Sequence, residues 1–337
     1  MRGPAQEEKP FTIGLQDDGL GKRNPFESMF FRSEACNRSG ASDRLACDSQ
    51  SFGLPSSRRY GNERPSPLPE QAMTTVDFAA FVDALADVAA ETILPFFRTA
   101  LQAQNKSTGG MFDPVTEADH AAEAAMRHLI QATFPDHGII GEEFGPLQSD
   151  AEYVWVLDPI DGTSSFISGL PVWGTLIGLL RNSCPAYGMM VQPFTQERFY
   201  GDGRGATWRG PGIGRQKTER KLVTRRCSDL AAATIMTTSP LLYSCDKLEA
   251  FRRVEREVRL SRYGGDCYAF AMLASGQIDC VIESNLKPYD IVALVPIIEG
   301  AGGIVTCWDG SSPAQGGDII ASCCASLHAE ALRLLHG

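Results

Sequence analysis

Two aspartates three residues apart follow directly on an apolar run in the stretch WVLDPIDGTSSF, positions 155–166. The run predicts a buried strand with Asp158 at its carboxyl end, where open sheets usually hold their ligands. Pro159 cannot continue a strand ladder, so the chain is expected to turn and bring Asp161 back beside Asp158. Two close carboxylates repel unless a proton or a divalent cation lies between them, and oxygen ligands of this type suit Mg²⁺.

The residues after this pair, Gly162 to Ser165, are typical of a helix start. Free backbone N–H groups at a helix start bind phosphate well. The stretch therefore predicts metal ligands followed at once by a phosphate-binding turn. Taken alone, it is explained equally well by an ordinary aspartate turn with a Ser/Thr helix cap.

Further carboxylates occupy comparable places and favour a shared site. Glu142 and Glu143 end another apolar run, Asp119 lies at the start of a helix in DPVTEAD, and Asp290 opens an apolar helix. Each has an ordinary explanation as a solvated turn, a helix cap or an acid that complements the helix dipole. An acid at the end of a neighbouring strand can nevertheless point into the same opening at the edge of the sheet as Asp158.

The elements that must position these acids are helices and strands in mixed order. Apolar stripes from Thr75 and over 117–133 predict helices, and strand-like runs follow to about residue 203. Later strands mix with helices over 247–258, 266–275, 289–301 and 326–335. This order predicts a layered α/β architecture.

Residues 1–72 are rich in Ser, Arg, Gly, Pro and Asn without a sustained period, so we expect a disordered extension. Its charges balance, and the net charge of −10 therefore lies on the remainder. We expect the natural chain to start at Met73. The glycine-rich stretch GDGRGATWRGPGIGRQ is expected to separate an N-terminal lobe, 73–215, which holds the metal and phosphate site, from a C-terminal lobe, 216–337, which sets specificity.

Composition argues against several classes of protein. The acidic charge disfavours nucleic-acid and anionic-membrane partners, and no apolar run is long enough to span a bilayer. The N-terminus lacks the pattern of a secretory signal, and its acidic residues argue against an organellar transit peptide. Ten scattered cysteines without a C-x-x-C pair disfavour a zinc site or a disulfide scaffold. We therefore expect a cytoplasmic protein.

The motifs D-x-V-T-x-A-D, G-E-E, W-V-L-D-P-I-D-G-T and a late Y-D, in this order, resemble the inositol monophosphatase superfamily of Mg²⁺-dependent phosphatases. The resemblance covers about residues 75–337. It implies an αβαβα sandwich, two or three Mg²⁺ ions in each active site, a phosphate monoester as substrate and a homodimer.

The resemblance also assigns roles to residues. It implies catalytic roles for Asp119, Glu142 and Thr163, with Thr163 orienting the attacking water and Asp119 supporting it. The implied metal ligands are Glu142, Asp158, the Ile160 carbonyl, Asp161 and Asp290. Glu143 is implied to support these ligands without binding the metal itself. Phosphate would be held by the backbone N–H groups of Gly162, Thr163 and Ser164. Lys106 fits the family spacing poorly, and we expect a solvated loop lysine.

Substrate choice is expected to depend on the second half of the chain. The strings G-D-C-Y and L-K-P-Y-D resemble the histidinol-phosphate phosphatase branch of the superfamily. Histidinol phosphate carries an ammonium and an imidazole, which carboxylates at Asp266 and Glu283 would bind. Asp266 also fits as a helix cap, and Glu283 as a strand-end acid.

Three alternatives stay open at this point. The first is a broad inositol- or sugar-phosphate monoesterase. A bisphosphate nucleotidase is disfavoured because we see no basic or aromatic cluster suited to a nucleotide. A binding protein that keeps the fold without catalysis is disfavoured because every metal-binding acid and Thr163 are present.

Deleting residues 1–72 should leave the fold and the turnover rate intact, because the segment lacks a core-forming pattern. Melting temperature and phosphatase rate, measured side by side for the full and shortened proteins, check this. A large loss of either in the shortened protein would show that the extension is structural.

Overall fold

The structure is a computed structural model that describes residues 77–99, 117–212, 217–227 and 229–337, with the backbone of 104–105 and 114–115. The chain divides into two units, Met1–Phe81 and Val82–Gly337. Of the first unit, only residues 77–81 are described. The predicted disordered extension and Lys106 therefore lie outside the described residues.

Eight α-helices occur in the described part of the chain. In chain order they are α1 Phe78–Ile93, α2 Glu117–Thr133, α3 Thr163–Ile167, α4 Cys245–Glu255, α5 Asp266–Ala274, α6 Pro288–Ile291, α7 Leu294–Gly300 and α8 Ala325–His336. The Asp77 carboxylate stabilises the start of α1 by accepting hydrogen bonds from the N–H groups of Ala79 and Ala80 at 3.0 and 3.2 Å. None of these helices combines the length and apolar character needed to cross a membrane.

The strands in the same residues form three sheets. A two-stranded sheet contains β1 Gln104–Asn105 and β2 Pro114–Val115. The eight-stranded sheet is built from β3 Gly138–Gly141, β4 Gly145–Leu147, β5 Tyr153–Asp161, β6 Gly174–Arg181, β7 Cys184–Gln192, β8 Glu197–Gly201, β9 Ala206–Pro211 and β10 Lys217–Lys221. The five-stranded sheet is built from β11 Thr234–Thr237, β12 Leu260–Tyr263, β13 Cys280–Leu286, β14 Ile304–Cys307 and β15 Gly317–Ser322.

Strand order places the predicted site strands side by side. The eight-stranded sheet runs β10-β9-β8-β7-β6-β5-β3-β4, and the pair β3–β5 is parallel within this otherwise antiparallel arrangement. The five-stranded sheet runs β12-β11-β13-β15-β14, with β11 parallel to both of its neighbours. Parallel β3 and β5 end at the same edge, so residues that follow them can meet there.

The helices α5 and α7 lie between the two large sheets. One hydrophobic cluster joins Leu176 of β6, Phe270 of α5, Ile297 of α7 and Val281 of β13. Alternate residues of β13 point the other way, and Ile282 packs in a second cluster with α4 and α8. This alternation is the two-residue period of a strand buried on both faces.

The outer face of the eight-stranded sheet carries α1 and α2. Trp155 of β5 donates from its indole nitrogen to Nδ1 of His137, just after α2, at 3.1 Å. Asp83 of α1 forms ion pairs with Arg198 of β8 and Arg209 of β9. The layers therefore alternate helix, sheet, helix, sheet, helix, and the predicted αβαβα sandwich is confirmed.

Some boundaries differ from the predicted ones for local reasons. The single helix expected over 289–301 is two helices, α6 and α7. The short strand β12 has mostly exposed side chains, so it carries no hydrophobic alternation to reveal it. The strands β9 and β10 pair with each other on either side of the expected lobe boundary. The division at residue 215 stays a prediction.

Gly188→Ala should destabilise the protein, because β7 and α7 approach closely at this glycine. An added Cβ would overlap the Ala293 carbonyl. Overpacking of this kind costs about 1–3 kcal/mol, which corresponds to a fall in melting temperature of roughly several degrees. Gly205→Ala is the matched control, since a Cβ there meets nothing within 4 Å. Equal melting temperatures for the two variants would contradict the close helix–sheet contact.

Candidate active site

A one-residue bulge in β5 brings Asp158 and Asp161 to one side of the strand. Asp158 pairs with Leu176 and Asp161 with Gly174, so three steps along β5 match two along β6. Residues three apart on a regular strand point to opposite faces, and the extra residue turns Asp161 back to the side of Asp158. The turn expected at the proline is therefore a bulge inside a continuous strand.

Two residues fix the backbone around the bulge. The buried Thr175 hydroxyl donates to the Pro159 carbonyl at 2.7 Å. Gly162 has a φ of 86°, in the left-handed region that glycine adopts without steric cost. An added Cβ at Gly162 would also press on the Asp266 carboxylate. The chain therefore leaves β5 by one sharp turn and enters α3.

Three carboxylates form the centre of the site. Single carboxylate oxygens of Asp158, Asp161 and Asp290 all lie within 4.8 Å of one another. Asp290 lies in the first turn of α6, where its carboxylate accepts the Lys287 N–H at 2.6 Å. Burial, followed by the charges of neighbouring acids, raises the pKa of Asp158 and Asp161 well above the ordinary range. Burial raises the pKa of Asp290 to about 6.

Glu142 and Asp119 add two more acids beside this cluster. The Glu142 N–H donates to the Leu157 carbonyl at 3.3 Å, which places Glu142 next to the end of β5. The charges of Glu142 and Asp119 both raise the pKa of Asp158 further. The predicted acids therefore converge from β5, α2, α6 and the turn after β3.

The donor set fits a hard divalent cation. One carboxylate oxygen of Asp158, Oδ1, is buried and has no hydrogen-bond partner among the described residues. Buried polar atoms in folded proteins nearly always have a partner, and crowded carboxylates need a counter-charge. Carboxylate oxygens at this spacing are suited to Mg²⁺, with Asp158, Asp161 and Asp290 as the central ligands.

The start of α3 lies next to these carboxylates. Gly162 caps the helix without a side-chain hydrogen bond, and the first N–H groups of any helix lack intrahelical partners. The Thr163 hydroxyl donates to the Ile160 carbonyl at 3.2 Å, so these two predicted groups are in contact. The Ser164 side chain is exposed. This arrangement suits an anion held by backbone N–H groups.

The start of α5 packs against β5 and α3. The Cys267 N–H donates to Oδ2 of Asp161 at 2.6 Å, and the Ser165 hydroxyl donates to Oδ2 of Asp266 at 2.6 Å. Asp266 has a φ of 42°, a left-handed conformation that is uncommon outside glycine. Asp266 therefore lies beside Gly162 and contacts Ser165, next to the turn that is predicted to bind phosphate.

Glu283 lies beside Asp266 and outside the central three-aspartate cluster. Its carboxylate accepts the Thr238 N–H at 2.6 Å and the hydroxyls of Thr238 and Thr237 at 3.1 and 3.2 Å. Burial raises the pKa of Glu283 to about 8, and the Asp266 charge adds to this shift. A hydrogen bond from Thr238 also acts on Asp266, so this threonine connects the two acids.

Several contacts of the site had no recognisable signal in the sequence. Thr175, Thr238 and Ser165 contribute through hydroxyl groups whose partners are 16 to 101 positions away. Glu143, predicted to lie behind the ligands, contacts Nε2 of His120 at 2.9 Å. Its backbone N–H donates to Glu123, a helix residue to which sequence patterns assigned no role.

The inositol monophosphatase family model matches residues 73–336. The chain is 44% identical over 286 residues to the chloroplastic bifunctional phosphatase IMPL2 of Arabidopsis thaliana, covering 81% of this chain and 79% of that protein. It is 33% identical over 227 residues to the histidinol-phosphatase of Chlorobaculum parvum, covering 67% and 83%. A solved inositol monophosphatase from Zymomonas mobilis superposes with a TM-score of 0.65 at 38% identity, covering 77% and 97%.

Without metal, the protein should lose stability as pH rises. An unfolded aspartate releases its proton near pH 4, whereas folded Asp290 releases it near its pKa of about 6, and burial also raises the pKa of Asp158 well above the ordinary aspartate range. Between these values the folded state holds more protons, so unfolding becomes more favourable as pH increases. Melting temperatures in a metal chelator across pH 4–8 measure this trend.

Asp158→Asn should flatten that trend, raise the melting temperature of the metal-free protein at neutral pH and abolish phosphatase activity. The substitution removes a carboxyl whose ionisation is opposed by burial and by its acidic neighbours, and it also removes the predicted central metal ligand. Asp318→Asn is the control. Hydrogen bonds from Lys247 and Ser284 lower the pKa of Asp318, so removing this carboxylate should lower the melting temperature of the protein. Activity within about threefold of wild type at saturating Mg²⁺ would contradict the assignment.

Proposed function

The chain belongs to the inositol monophosphatase family, and on this premise we propose that it is a Mg²⁺-dependent phosphatase that prefers histidinol phosphate. The proposed reaction is hydrolysis of a phosphate monoester to an alcohol and inorganic phosphate. Metal ligands on this proposal are Asp158, Asp161, Asp290, Glu142 and the Ile160 carbonyl, and they hold two or three ions. Bound Mg²⁺ supplies Lewis acidity at the phosphoryl oxygens and lowers the pKa of water.

The residues of the chain have separate tasks in this reaction. The N–H groups of Gly162, Thr163 and Ser164 bind and orient the phosphoryl group, which is the role that free donors at a helix start perform best. The Thr163 hydroxyl, supported by Asp119, orients the attacking water. Phosphoryl transfer needs little beyond positioning and charge stabilisation, so no residue has to become phosphorylated.

The substrate assignment rests on the placement of Asp266. Its carboxylate lies beside the phosphate-binding turn, bound to Ser165, and does not belong to the three-aspartate cluster. An ammonium or imidazolium group attached to a bound phosphate ester would find Asp266 there, with Glu283 behind it. The histidinol-phosphatase relative at 33% identity supports the same choice.

The alternative is an inositol- or sugar-phosphate monoesterase, favoured by the solved inositol monophosphatase at 38% identity. A panel of phosphate esters, with Mg²⁺ and with EDTA, separates these substrates and also tests for a binding protein without catalysis. We further propose a homodimer, measurable by light scattering, and a cytoplasmic location. Imaging a tagged full chain tests the location, because the Arabidopsis relative is chloroplastic by name.

Asp266→Asn should lower kcat/KM for histidinol phosphate by roughly ten- to a hundredfold, because a charge-assisted hydrogen bond contributes about 1.5–3 kcal/mol. The rate with glycerol phosphate, which has no cationic group, should change far less. Both substrates are measured with both proteins at one Mg²⁺ concentration.

Ser165→Ala is the matched control, since it removes the hydrogen bond to Asp266 and keeps the carboxylate charge. Its effect should be similar for the two substrates. If Asp266→Asn also lowers both rates by one common factor, Asp266 only anchors α5, and the histidinol assignment loses its physical support. A wild type that prefers inositol phosphate outright would favour the alternative.

A further inference from the structure

A charged residue of α2 lies under the turn that carries Glu142. Glu123 is fully buried, one helical turn after Asp119. Its carboxylate accepts the backbone N–H groups of Glu143 at 2.7 Å and Phe144 at 3.2 Å. Both donors belong to the residues immediately after Glu142, so the carboxylate fixes the chain on that side.

The same carboxylate also fixes the chain before Glu142. A Cβ added to Gly141 would overlap the Glu123 carboxylate group. The carboxylate therefore occupies the space that a side chain at this position would need. Because the backbone is held on both sides of Glu142, the direction in which that side chain leaves the turn is held as well.

Arg127 completes the arrangement one turn further along α2. Its Nε donates to Oε1 of Glu123 at 2.6 Å, and its side chain is 12% exposed. The guanidinium also donates to the Gly145 carbonyl and lies over the Phe144 ring. The Glu123–Arg127 pair thus spans the whole turn from Gly141 to Gly145.

A buried ion pair is a poor source of stability, because two charges lose their hydration. A turn can satisfy its N–H groups with a local Asn, Ser or Asp side chain at lower cost. Here the acceptor comes instead from the helix that also presents Asp119 to the site. One rigid element therefore sets both the Asp119 carboxylate and the turn that carries Glu142.

We propose that Glu123 and Arg127 are positioning residues that aim the Glu142 carboxylate and thereby set the affinity of the site for its divalent cation. The inference rests on the proposed metal-dependent function. Neither residue touches the cation in this arrangement. Their contribution is to remove the freedom of the turn before the cation binds, and residues that orient metal ligands typically change affinity by about 10–100-fold.

The test compares metal binding by wild type and Glu123→Gln in titration calorimetry with Mg²⁺ alone, without substrate. The amide keeps the size of the side chain but cannot accept from Arg127 and both N–H groups together. We expect Mg²⁺ affinity to fall by about 10–100-fold. The Mg²⁺ concentration for half-maximal activity should rise by the same factor, whereas kcat at saturating Mg²⁺ should recover to near wild type.

The control is Asp279→Asn, which breaks another buried ion pair at the start of β11 and β13, the opposite end of these strands from Thr238 and Glu283. Asp279 is also fully buried, pairs with Arg225 and accepts the Thr234 N–H at 2.7 Å. This variant should lower the melting temperature and leave Mg²⁺ affinity unchanged. A Glu123→Gln protein that behaves in the same way would show that Glu123 is only structural, and the inference would be overturned.

Two further variants decide the outcome if Glu123→Gln does not fold. Arg127→Lys keeps the charge but loses the forked donor, and Gly141→Ala displaces the carboxylate from the opposite side. Weakened Mg²⁺ binding in both supports the inference, and unchanged binding in both overturns it. If wild type neither binds Mg²⁺ nor needs it for activity, the proposed function fails together with the inference. If wild type and the variants bind Mg²⁺ equally well, only the inference fails.

Discussion

The bulge in β5 is the constraint on which the site depends. Without the extra residue, Asp158 and Asp161 would point to opposite faces of the sheet, and no cation could contact both. The bulge in turn needs Thr175 on the neighbouring strand to satisfy its carbonyl, and Gly162 to turn the chain after it. A sheet several strands wide on that side, with helices on both faces, holds this local irregularity in place.

Holding acids together in a buried place costs free energy, and the fold offsets only part of it. The N–H of Cys267 donates to Asp161 and the N–H of Lys287 donates to Asp290, each at a helix start. These two bonds favour the ionised forms, yet the pKa of both carboxyls is still raised because burial outweighs them. The remaining repulsion is the electrostatic drive for taking up a divalent cation.

Local sequence patterns were sufficient to predict the clustered acids, a layered α/β architecture and the helix that begins after Gly162. The αβαβα order of the layers came from the family resemblance. The sequence was not sufficient to predict the bulge, because Pro159 is equally compatible with the end of a strand. The contact between Ser165 and Asp266 joins residues 101 positions apart. In the sequence, Glu123 looks like an ordinary acidic residue of a helix. Its contact with the turn after Glu142 is visible only in the structure. Such contacts arise from tertiary packing, which has no local signature.

The contact between Ser165 and Asp266 also links two tasks that the sequence suggested were separate. Ser165 belongs to α3, whose first residues are proposed to bind the phosphate, whereas Asp266 begins α5 in the part expected to set specificity. The strained backbone of Asp266 is tolerated because Ser165 and Thr238 hold its carboxylate. The residues proposed for phosphate binding and for substrate choice therefore share one hydrogen-bonded unit. A replacement of Asp266 that keeps this unit intact must still accept the hydroxyl of Ser165, as the side-chain carbonyl of Asn can.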